Sequence, residues 1–410
     1  MARKLLQINP VVRTSTSTGK IMRALGELAM TAGWESYIAY SRARDGVPEH
    51  TSELVPVGNW IDLAGHWLAT RLFDAHGLAS RRSTRELIKR IEAIDPDIVH
   101  IHNLHGYFLN YPLLCDFLAR RGKPVIWTVH DCWLFTGHCY HYASTACSRW
   151  QTGCHDCPQK TAFPKSWLFD RSQQNWRDKR QALTALPDLT LVVVSEWMRG
   201  ELSRSFLREL PCRVIHNGID LNTFQPREEA DVQGRYGITA RHFALAVAAI
   251  WIPEKGFDDL LAFASRLHSD EQLVVVGQMT PRQRKRLPAN VIPVSRTSDA
   301  RALAELYTAA TAVINPTWQD NYPTVNLEAT ACGTPVITYR TGGSVESVPA
   351  GTGFVVEQGD TAAMADRFHQ IREQNAASFR EACTQFAREH FAKEDRFRDY
   401  IDLYESLATR

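Results

Sequence analysis

Residues Asp320 to Cys332 read D-N-Y-P-T-V-N-L-E-A-T-A-C, and Gly333 to Thr338 read G-T-P-V-I-T. The spacing predicts a short helix that Thr324 caps and Gly333 ends, since threonine is a frequent N-cap and glycine a frequent terminator. Pro335 then separates the helix from a Val-Ile strand. A helix that leads directly into an apolar strand is typical of an α/β domain with a parallel sheet.

Two acidic residues lie near the start of this helix. Asp320 precedes it in a loop that contains proline, and Glu328 lies about one turn inside it. Backbone N–H groups in the first turn have no acceptor within the helix and can bind an anion such as a diphosphate. Two carboxylates beside that anion can hold the hydroxyls of a sugar and of a ribose. The pattern predicts a nucleotide-sugar site, and the alternative is a capped core helix with an accidental Asp and Glu.

The chain has 410 residues, 44% of them hydrophobic and 22% charged, with a net charge of +2. This length exceeds one ordinary core, so we expect two domains. The small net charge gives no reason to expect a nucleic-acid partner. The N-terminal residues do not resemble a signal peptide, and the longest apolar run, Phe243 to Ile252, is about half the length that spans a bilayer. We therefore expect a cytoplasmic protein.

β-Branched strands alternate with amphipathic segments twice along the chain, which predicts two Rossmann-like parallel-sheet domains. The strands predicted in the first half are Lys4–Ile8, Ser36–Tyr40, Ile98–Ile101, Val125–Val129 and Leu189–Val194. Those predicted in the second half are Phe243–Ala248, Leu273–Val276, Ala312–Ile314, Val336–Thr338 and Phe354–Val356. The clearest helices are Thr84–Ile94, Pro112–Arg121, Phe257–His268 and Ala300–Ala310.

The domain boundary is predicted within Arg213 to Pro226, which reads R-V-I-H-N-G-I-D-L-N-T-F-Q-P. An apolar strand runs into Asn-Gly, a turn signal, and the segment ends in proline. We place the first domain at residues 1–216 and the second at residues 217–390.

These segments resemble retaining GT-B glycosyltransferases of family 4. The acidic stretch is similar to their pattern Glu-Gly-Phe-Pro, three variable residues, Leu-Glu-Ala, then Ala-Cys-Gly-x-Pro-Val, with Asp320 and Asn321 replacing the first Glu-Gly. The boundary segment is similar to their Asn-Gly-[Val/Ile]-Asp-x3-Phe-x-Pro. The resemblance implies two domains that face a cleft and close about a hinge at Asn217–Asp220. It also implies that residues 391–410 pack back onto the first domain.

The resemblance assigns roles to four residues as catalytic. Glu328 would hold the ribose, Asp320 the donor sugar and Lys255 the diphosphate charge, while His130 would orient the sugar. No cofactor is expected for catalysis, because no Asp-x-Asp signature lies in a donor position. The further donor-binding residues are Gly19, Gly256, Gly277, Thr297, Tyr322, Pro323, Thr324, Val325 and Asn326.

One cation of the family pattern is missing. Lys255-Gly256 matches the end of the family segment Gly-Arg-Leu-x3-Lys-Gly, but Ile250 stands where an arginine is expected. Either another basic residue, Arg296 or Arg340, substitutes for it, or the donor binds more weakly.

Histidines follow two predicted strands of the first half. His130 ends the run W-T-V-H, where ligands bind in open α/β sheets, although a lone histidine there is often structural. His100 and His102 are expected to share one strand face. Asn103 and His105 follow in the loop, and we predict that they lie on the acceptor side.

Four cysteines, Cys139, Cys147, Cys154 and Cys157, cluster in the first half. The last two have the spacing of a zinc knuckle, while the other intervals are irregular. The cluster predicts a structural zinc ion that fastens a long loop. The alternatives are reduced thiols or a redox-labile pair.

Trp60 to Leu78 has apolar residues at helical spacing and is followed by basic residues. This pattern predicts a helix packed on the sheet, or a peripheral membrane contact that would suit a lipid-carried acceptor.

The segments Val99–Tyr107, Trp127–Trp133 and Thr152–Pro158 narrow the resemblance to bacterial enzymes that build colanic acid, capsule and O-antigen. It implies transfer of a hexose, with retention, from a UDP- or GDP-linked sugar to a glycan acceptor. That acceptor could be carried on undecaprenyl at the inner face of the membrane. Two alternatives are a GT-B enzyme that is not a transferase, such as a nucleotide-sugar epimerase, and an inactive zinc-stapled interaction module.

Overall fold

The computed structural model describes residues 2–12, 17–42, 52–227, 231–374 and 376–409. The chain forms two compact units, of which the first combines Met1–Ile215 with Phe397–Arg410 and the second is His216–Arg396. Residue 216 and residues 391–396, which the sequence prediction gave to the first domain, therefore belong to the second unit.

The first unit contains an all-parallel sheet of seven strands in the order β3-β2-β1-β4-β5-β6-β7. The strands are β1 Lys4–Ile8, β2 Glu35–Tyr40, β3 Glu53–Pro56, β4 Ile98–Ile101, β5 Val125–Val129, β6 Leu189–Val193 and β7 Cys212–Val214. The central strands are buried on both faces, as parallel sheets require.

Helices cover both faces of this sheet. The helices between β1 and β7 are α1 Ser17–Thr31, α2 Trp60–Phe73, α3 Arg81–Ile94, α4 Tyr111–Arg121, α5 Ser172–Thr184 and α6 Glu196–Ser203. Leu5 packs on one face with residues of α1, whereas its neighbour Leu6 packs on the other face with residues of α3 and α4. This alternation follows from the two-residue period of a strand.

The second unit contains an all-parallel sheet of six strands in the order β10-β9-β8-β11-β12-β13. The strands are β8 His242–Ile250, β9 Glu271–Gln278, β10 Val291–Val294, β11 Ala312–Asn315, β12 Val336–Tyr339 and β13 Gly353–Val356. The helices are α7 Val232–Tyr236, α8 Phe257–Ala264, α9 Pro281–Arg284, α10 Ala300–Ala309, α11 Thr324–Ala331, α12 Thr361–Glu373 and α13 Ala376–His390.

The last helix, α14 Lys393–Ala408, begins in the second unit and from Phe397 onward belongs to the first. Its apolar side chains, among them Tyr400 and Tyr404, lie in one buried cluster with Leu5, Ile98 and other strand residues.

In each sheet, successive strands are first added toward one edge and then, after a single reversal, toward the other edge. In the first unit the chain turns back between β1 and β4, and in the second unit between β8 and β11. Ligands of open α/β sheets bind beyond the carboxyl ends of the strands at such a switch point. The fold thus marks two places, one in each unit, where functional side chains are expected.

None of the helices in the described ranges is long and apolar enough to cross a membrane.

Candidate functional site

At the switch point of the second sheet, the turn after β8 lies against the loop after β11. Lys255 Nζ lies 2.7 Å from Asp320 Oδ2 in an ion pair. The backbone N–H of Trp318 donates to the carbonyl oxygen of Glu254 at 2.8 Å, so the two segments are also joined through their backbones. The structure thus brings together two residues, 65 positions apart in sequence, that were both predicted to be catalytic.

The backbone of Asp320 is held from a third segment, the turn after β12. Gly343 N–H donates to the carbonyl oxygen of Asp320 at 3.1 Å. Gly342 has a φ of 50°, and a Cβ there would collide with that same oxygen. This contact requires glycine and fixes the Asp320 loop.

Glu328 lies on α11 and is buried. The hydroxyl of Tyr307, on α10, donates to its Oε2 at 3.2 Å. Sequence reasoning missed Tyr307, because a tyrosine within an amphipathic helix is more often a core residue. Its hydroxyl fixes the direction of the carboxylate that was predicted to hold a ribose.

The predicted cap of α11 is wrong. Pro323 is the N-cap, the helix begins at Thr324, and no side chain caps it. The Thr324 backbone is already helical, which places its hydroxyl beyond the position from which a cap accepts. The backbone N–H groups of Thr324 and Val325 occupy the first turn, which an α-helix leaves without internal acceptors.

Asn326 and Tyr322, two predicted donor-binding residues, are packed inside the second unit. The amide of Asn326 joins Asn315, at 2.8 Å, to the hydroxyl of Ser347, at 2.8 Å. The ring of Tyr322 stacks on His216 with centroids 4.8 Å apart. Both side chains therefore stabilise the Asp320 loop and α11, and only their backbone groups remain as candidates for contact with a donor.

Gly256, Gly277 and Thr297 also lie at the carboxyl edge of this sheet. Gly256 and Gly277 have φ values of 72° and 135°, and a Cβ there would collide with the carbonyl oxygen of Pro316 or Ala248, respectively. The Thr297 hydroxyl donates to the carbonyl oxygen of Asp299 at 3.1 Å, just before α10.

Ile250, which replaces the expected arginine, is exposed at the end of β8. Of the two substitutes considered, Arg340 pairs with Glu357 Oε1 at 2.7 Å. Arg296 is exposed in the loop after β10. Lys255 is thus the cation that the structure places beside Asp320.

At the switch point of the first sheet, three histidines lie close together, and two of them, His102 and His130, share a hydrogen bond. His100 Nδ1 lies 2.7 Å from the hydroxyl of Tyr404. His102 Nε2 lies 3.1 Å from Gln7 Oε1, and its Nδ1 lies 3.1 Å from Nε2 of His130. The prediction that His100 and His102 share a face is confirmed, since their rings lie 4.1 Å apart.

These contacts set the tautomer of His130. Gln7 presents its oxygen to His102, because its Nε2 donates to the carbonyl of Met22. His102 therefore carries its proton on Nε2 and accepts from His130 Nε2, which leaves the lone pair of His130 on Nδ1. Burial lowers the pKa of His130 to about 4, so the ring is neutral at pH 7. A neutral ring with a fixed acceptor atom can orient a hydroxyl.

The predicted acceptor-side residues lie in the same unit. Asn103 Nδ2 donates to Asn9 Oδ1 at 3.2 Å, across the switch point between β1 and β4. His105 Nε2 lies 2.9 Å from Asp131 Oδ2. Burial by itself raises the pKa of Asp131, but the charge and hydrogen bond of His105 outweigh it and bring the pKa to about 2. Gly19 lies in the first turn of α1, and residues 13–16 before it lie outside the described residues.

The four predicted zinc ligands line one pocket, together with His138 and His155. The thiol of Cys139 hydrogen-bonds to Cys157 and lowers the pKa of Cys157 to about 7. Among the described residues, the group of three ligand atoms within 4.8 Å of one another is instead that of His268, Glu271 and His369. The cysteine sulfurs would have to draw closer together to hold a metal.

Several solved structures share this fold along nearly the whole chain. Sucrose-phosphate synthase from Thermosynechococcus elongatus has a TM-score of 0.73 and 19% identity, covering 99% of each chain. The crystal structure of Anabaena HepE in complex with UDP and glucose has a TM-score of 0.68 and 14% identity, covering 99% of this chain and 100% of that chain. The fold is therefore the GT-B fold of glycosyltransferases.

The chain belongs to glycosyltransferase family 4. The family model described as Glycosyltransferase Family 4 matches residues 19–223. A second family model, described as Glycosyl transferases group 1, matches residues 241–374. WcaC of Escherichia coli (strain K12), which is named as a colanic acid biosynthesis glycosyl transferase, is 23% identical over 427 residues. That alignment covers 98% of this chain and 100% of WcaC.

Proposed function

We propose that this protein transfers a hexose, with retention of configuration, from a UDP- or GDP-linked sugar to a lipid-linked glycan at the inner face of the bacterial membrane. The product would be a surface polysaccharide of the colanic acid, capsule or O-antigen kind. The observation that carries the proposal is the arrangement at the β8–β11 switch point, where Lys255, Asp320 and the first turn of α11 adjoin. HepE, which has the same fold, is known with UDP and with UDP-glucose.

In the second unit, each predicted residue has a defined task. Glu328, oriented by Tyr307, accepts hydrogen bonds from the ribose hydroxyls, and Asp320 accepts from hydroxyls of the donor sugar. Lys255 and the N-terminal amides of α11 stabilise negative charge as the bond to the diphosphate breaks. The leaving phosphate itself serves as the base, so no side chain of the protein needs to act as a nucleophile.

In the first unit, the lone pair on Nδ1 of His130 accepts from a hydroxyl of the transferred sugar, and Asn103 and His105 contact the glycan acceptor. The similarity to WcaC over the whole of both chains supports a polysaccharide acceptor.

The first test is thermal unfolding with UDP and GDP separately. Ligand at about one hundred times its dissociation constant should add roughly 2.7 kcal/mol to the free energy of unfolding. We expect one nucleotide to stabilise the wild-type protein and Glu328→Gln to lose most of that gain.

Glu201→Gln is the matched control, because Glu201 is also a buried glutamate that accepts a hydrogen bond from a tyrosine hydroxyl. It should lower stability without changing the response to nucleotide. Absence of any response in the wild type would favour the inactive interaction module. Conversion of the donor sugar without an acceptor would favour an epimerase.

We also propose that Cys139, Cys147, Cys154 and Cys157 bind a structural zinc ion. Their convergence on one pocket supports this, since a tetrahedral site needs four ligands on one centre. Protein purified with zinc should contain about one equivalent, and a chelator should lower its melting temperature. Cys154→Ser should lose the metal, whereas Cys383→Ser, at a buried cysteine of the second unit, should retain it. Zinc-free protein with an unchanged melting temperature would contradict the proposal.

A further inference from the structure

The helix α2 exposes its apolar face and buries its polar face, the opposite of an ordinary amphipathic helix. Its buried residues are His66 and Thr70, while Trp60, Ile61 and Leu68 are exposed, Trp60 to 76%. The prediction that these apolar residues share one face is correct. The alternative that this face packs on the sheet is wrong, because it is exposed and the opposite, polar face is the buried one.

The polar face is buried because its groups are satisfied. His66 Nδ1 lies 2.8 Å from the hydroxyl of Ser80, and His66 Nε2 accepts from Gly77 N–H at 2.9 Å. The hydroxyl of Thr70 donates to the carbonyl of His66 at 2.9 Å. These bonds fix the rotation of α2, so its apolar face is held toward the outside.

A second segment extends the same surface. Trp167 packs edge-on against Trp67 with centroids 5.5 Å apart, and Phe169 stacks on Phe73 at 5.8 Å. The backbone N–H of Trp167 donates to the carbonyl oxygen of Arg71 at 2.6 Å. Among the residues that the structure describes, eleven large apolar side chains are exposed; nine of them lie on α2 or in residues 163–169, and the other two are Ile250 and Ile252. We call these nine the aromatic surface: Trp60, Ile61, Trp67, Leu68, Phe73, Phe163, Trp167, Leu168 and Phe169.

Basic groups adjoin the aromatic surface. The guanidinium of Arg71 lies over the Trp67 ring at 5.4 Å. Lys160 Nζ donates to the carbonyl of Leu168 at 3.3 Å, and Lys165 is exposed within the loop. Projecting aromatic and aliphatic side chains beside lysine and arginine match the interface of a membrane that contains anionic lipids. Protein partners require shape complementarity, whereas a lipid interface accepts such projecting side chains without it.

We propose that the aromatic surface binds an anionic lipid bilayer and holds this protein at the membrane as a peripheral protein. Such attachment would bring the enzyme to a lipid-linked acceptor. The inference does not depend on the transfer reaction, because vesicle binding can be measured without donor or acceptor.

The test is co-sedimentation of the full chain with vesicles of phosphatidylcholine alone or with 30% phosphatidylglycerol, at low and high salt. We expect binding to the anionic vesicles, weakened by salt. The double variant Trp167→Ser with Leu168→Ser should lower the partition coefficient at least tenfold, because it removes two large apolar groups from the contact. Its thermal unfolding should stay close to that of the wild type, since Trp167 and Leu168 are exposed to 49% and 61%.

The matched control, Ile250→Ser with Ile252→Ser, removes two exposed apolar side chains that lie outside the aromatic surface and should bind vesicles like the wild type. Failure of the wild type to bind anionic vesicles at low salt would overturn the proposal, as would equal loss in both double variants. Light scattering without vesicles provides the remaining check. A dimer that the Trp167 and Leu168 changes convert to a monomer would assign this surface to a second copy of the chain instead.

Discussion

The ion pair of Lys255 and Asp320 gives the sharpest prediction about the donor site. Replacing Lys255 with methionine removes the charge and retains most of the side-chain volume. The two side chains are 34% and 19% exposed, and pairs of this kind contribute about 0.2–1 kcal/mol to stability. We therefore expect Lys255→Met to lower the free energy of unfolding by less than about 1 kcal/mol.

The expected loss of activity is much larger. With Ile250 in place of an arginine, Lys255 is the cation next to Asp320, and each hydrogen bond to a charged group contributes about 1.5–3 kcal/mol. Two such bonds to the diphosphate correspond to about 3–6 kcal/mol of transition-state stabilisation, or roughly a hundred- to ten-thousandfold in kcat/KM. The assay is initial-rate transfer from the nucleotide sugar identified by thermal unfolding.

The chain contains a close structural match for the control. Lys123 Nζ lies 2.7 Å from Asp95 Oδ1, with side chains 34% and 65% exposed. Lys123→Met should therefore change stability as little as Lys255→Met and leave kcat/KM within about twofold. A loss of less than tenfold in Lys255→Met, or equal losses in both variants, would refute the reasoning.

Three further predictions concern the supporting structure. Burial lowers the pKa of His130 to about 4, against about 6.5 in the unfolded chain. Between these values the unfolded chain binds a proton that the folded protein does not, so the stability present above about pH 6.5 is lost as the pH falls toward 4. His130→Gln should flatten the dependence of melting temperature on pH in that window, and an unchanged slope would contradict the burial argument. Gly342→Ala should destabilise the protein by about 1–3 kcal/mol in denaturant titrations and lower transfer, because its Cβ collides with the carbonyl of Asp320; a neutral effect would show that the loop adapts. Thr324→Ala should lower unfolding free energy by less than about 0.5 kcal/mol, since Thr324 does not cap α11, whereas a loss above about 1 kcal/mol would restore the cap.

Most of the strands were predictable because their sequences are locally consistent. Runs such as Val125–Val129 are apolar and β-branched, and a strand buried on both faces needs nothing else. The two strands that were missed, β3 and β10, both lie at sheet edges. Both contain proline, a residue that edge strands tolerate and that weakens the apolar pattern.

The candidate site was predictable only in part. The motif around Asp320 and Glu328 identifies two carboxylates and a helix start from adjacent residues. The contact between Lys255 and Asp320 depends on β8 and β11 being neighbours in the sheet, which the sequence does not show. Lys255 was predicted only through the resemblance to family 4. Tyr307 gave no signal, because its hydroxyl becomes informative only when α10 lies beside Glu328. Gln7 gave a weak one, as a polar residue within an apolar strand.

The periodicities, the two-domain α/β class and the family can be inferred from the sequence, since each is encoded in short runs of neighbouring residues. The outward-facing side of α2, in contrast, is known only from the folded chain. Helical spacing defines which residues share a face, but the rotation of the helix is set by distant partners such as Ser80 and Gly77, which bind His66. For the same reason, the tautomer of His130 depends on Gln7 and His102, two residues that lie beside it only after the sheet has formed.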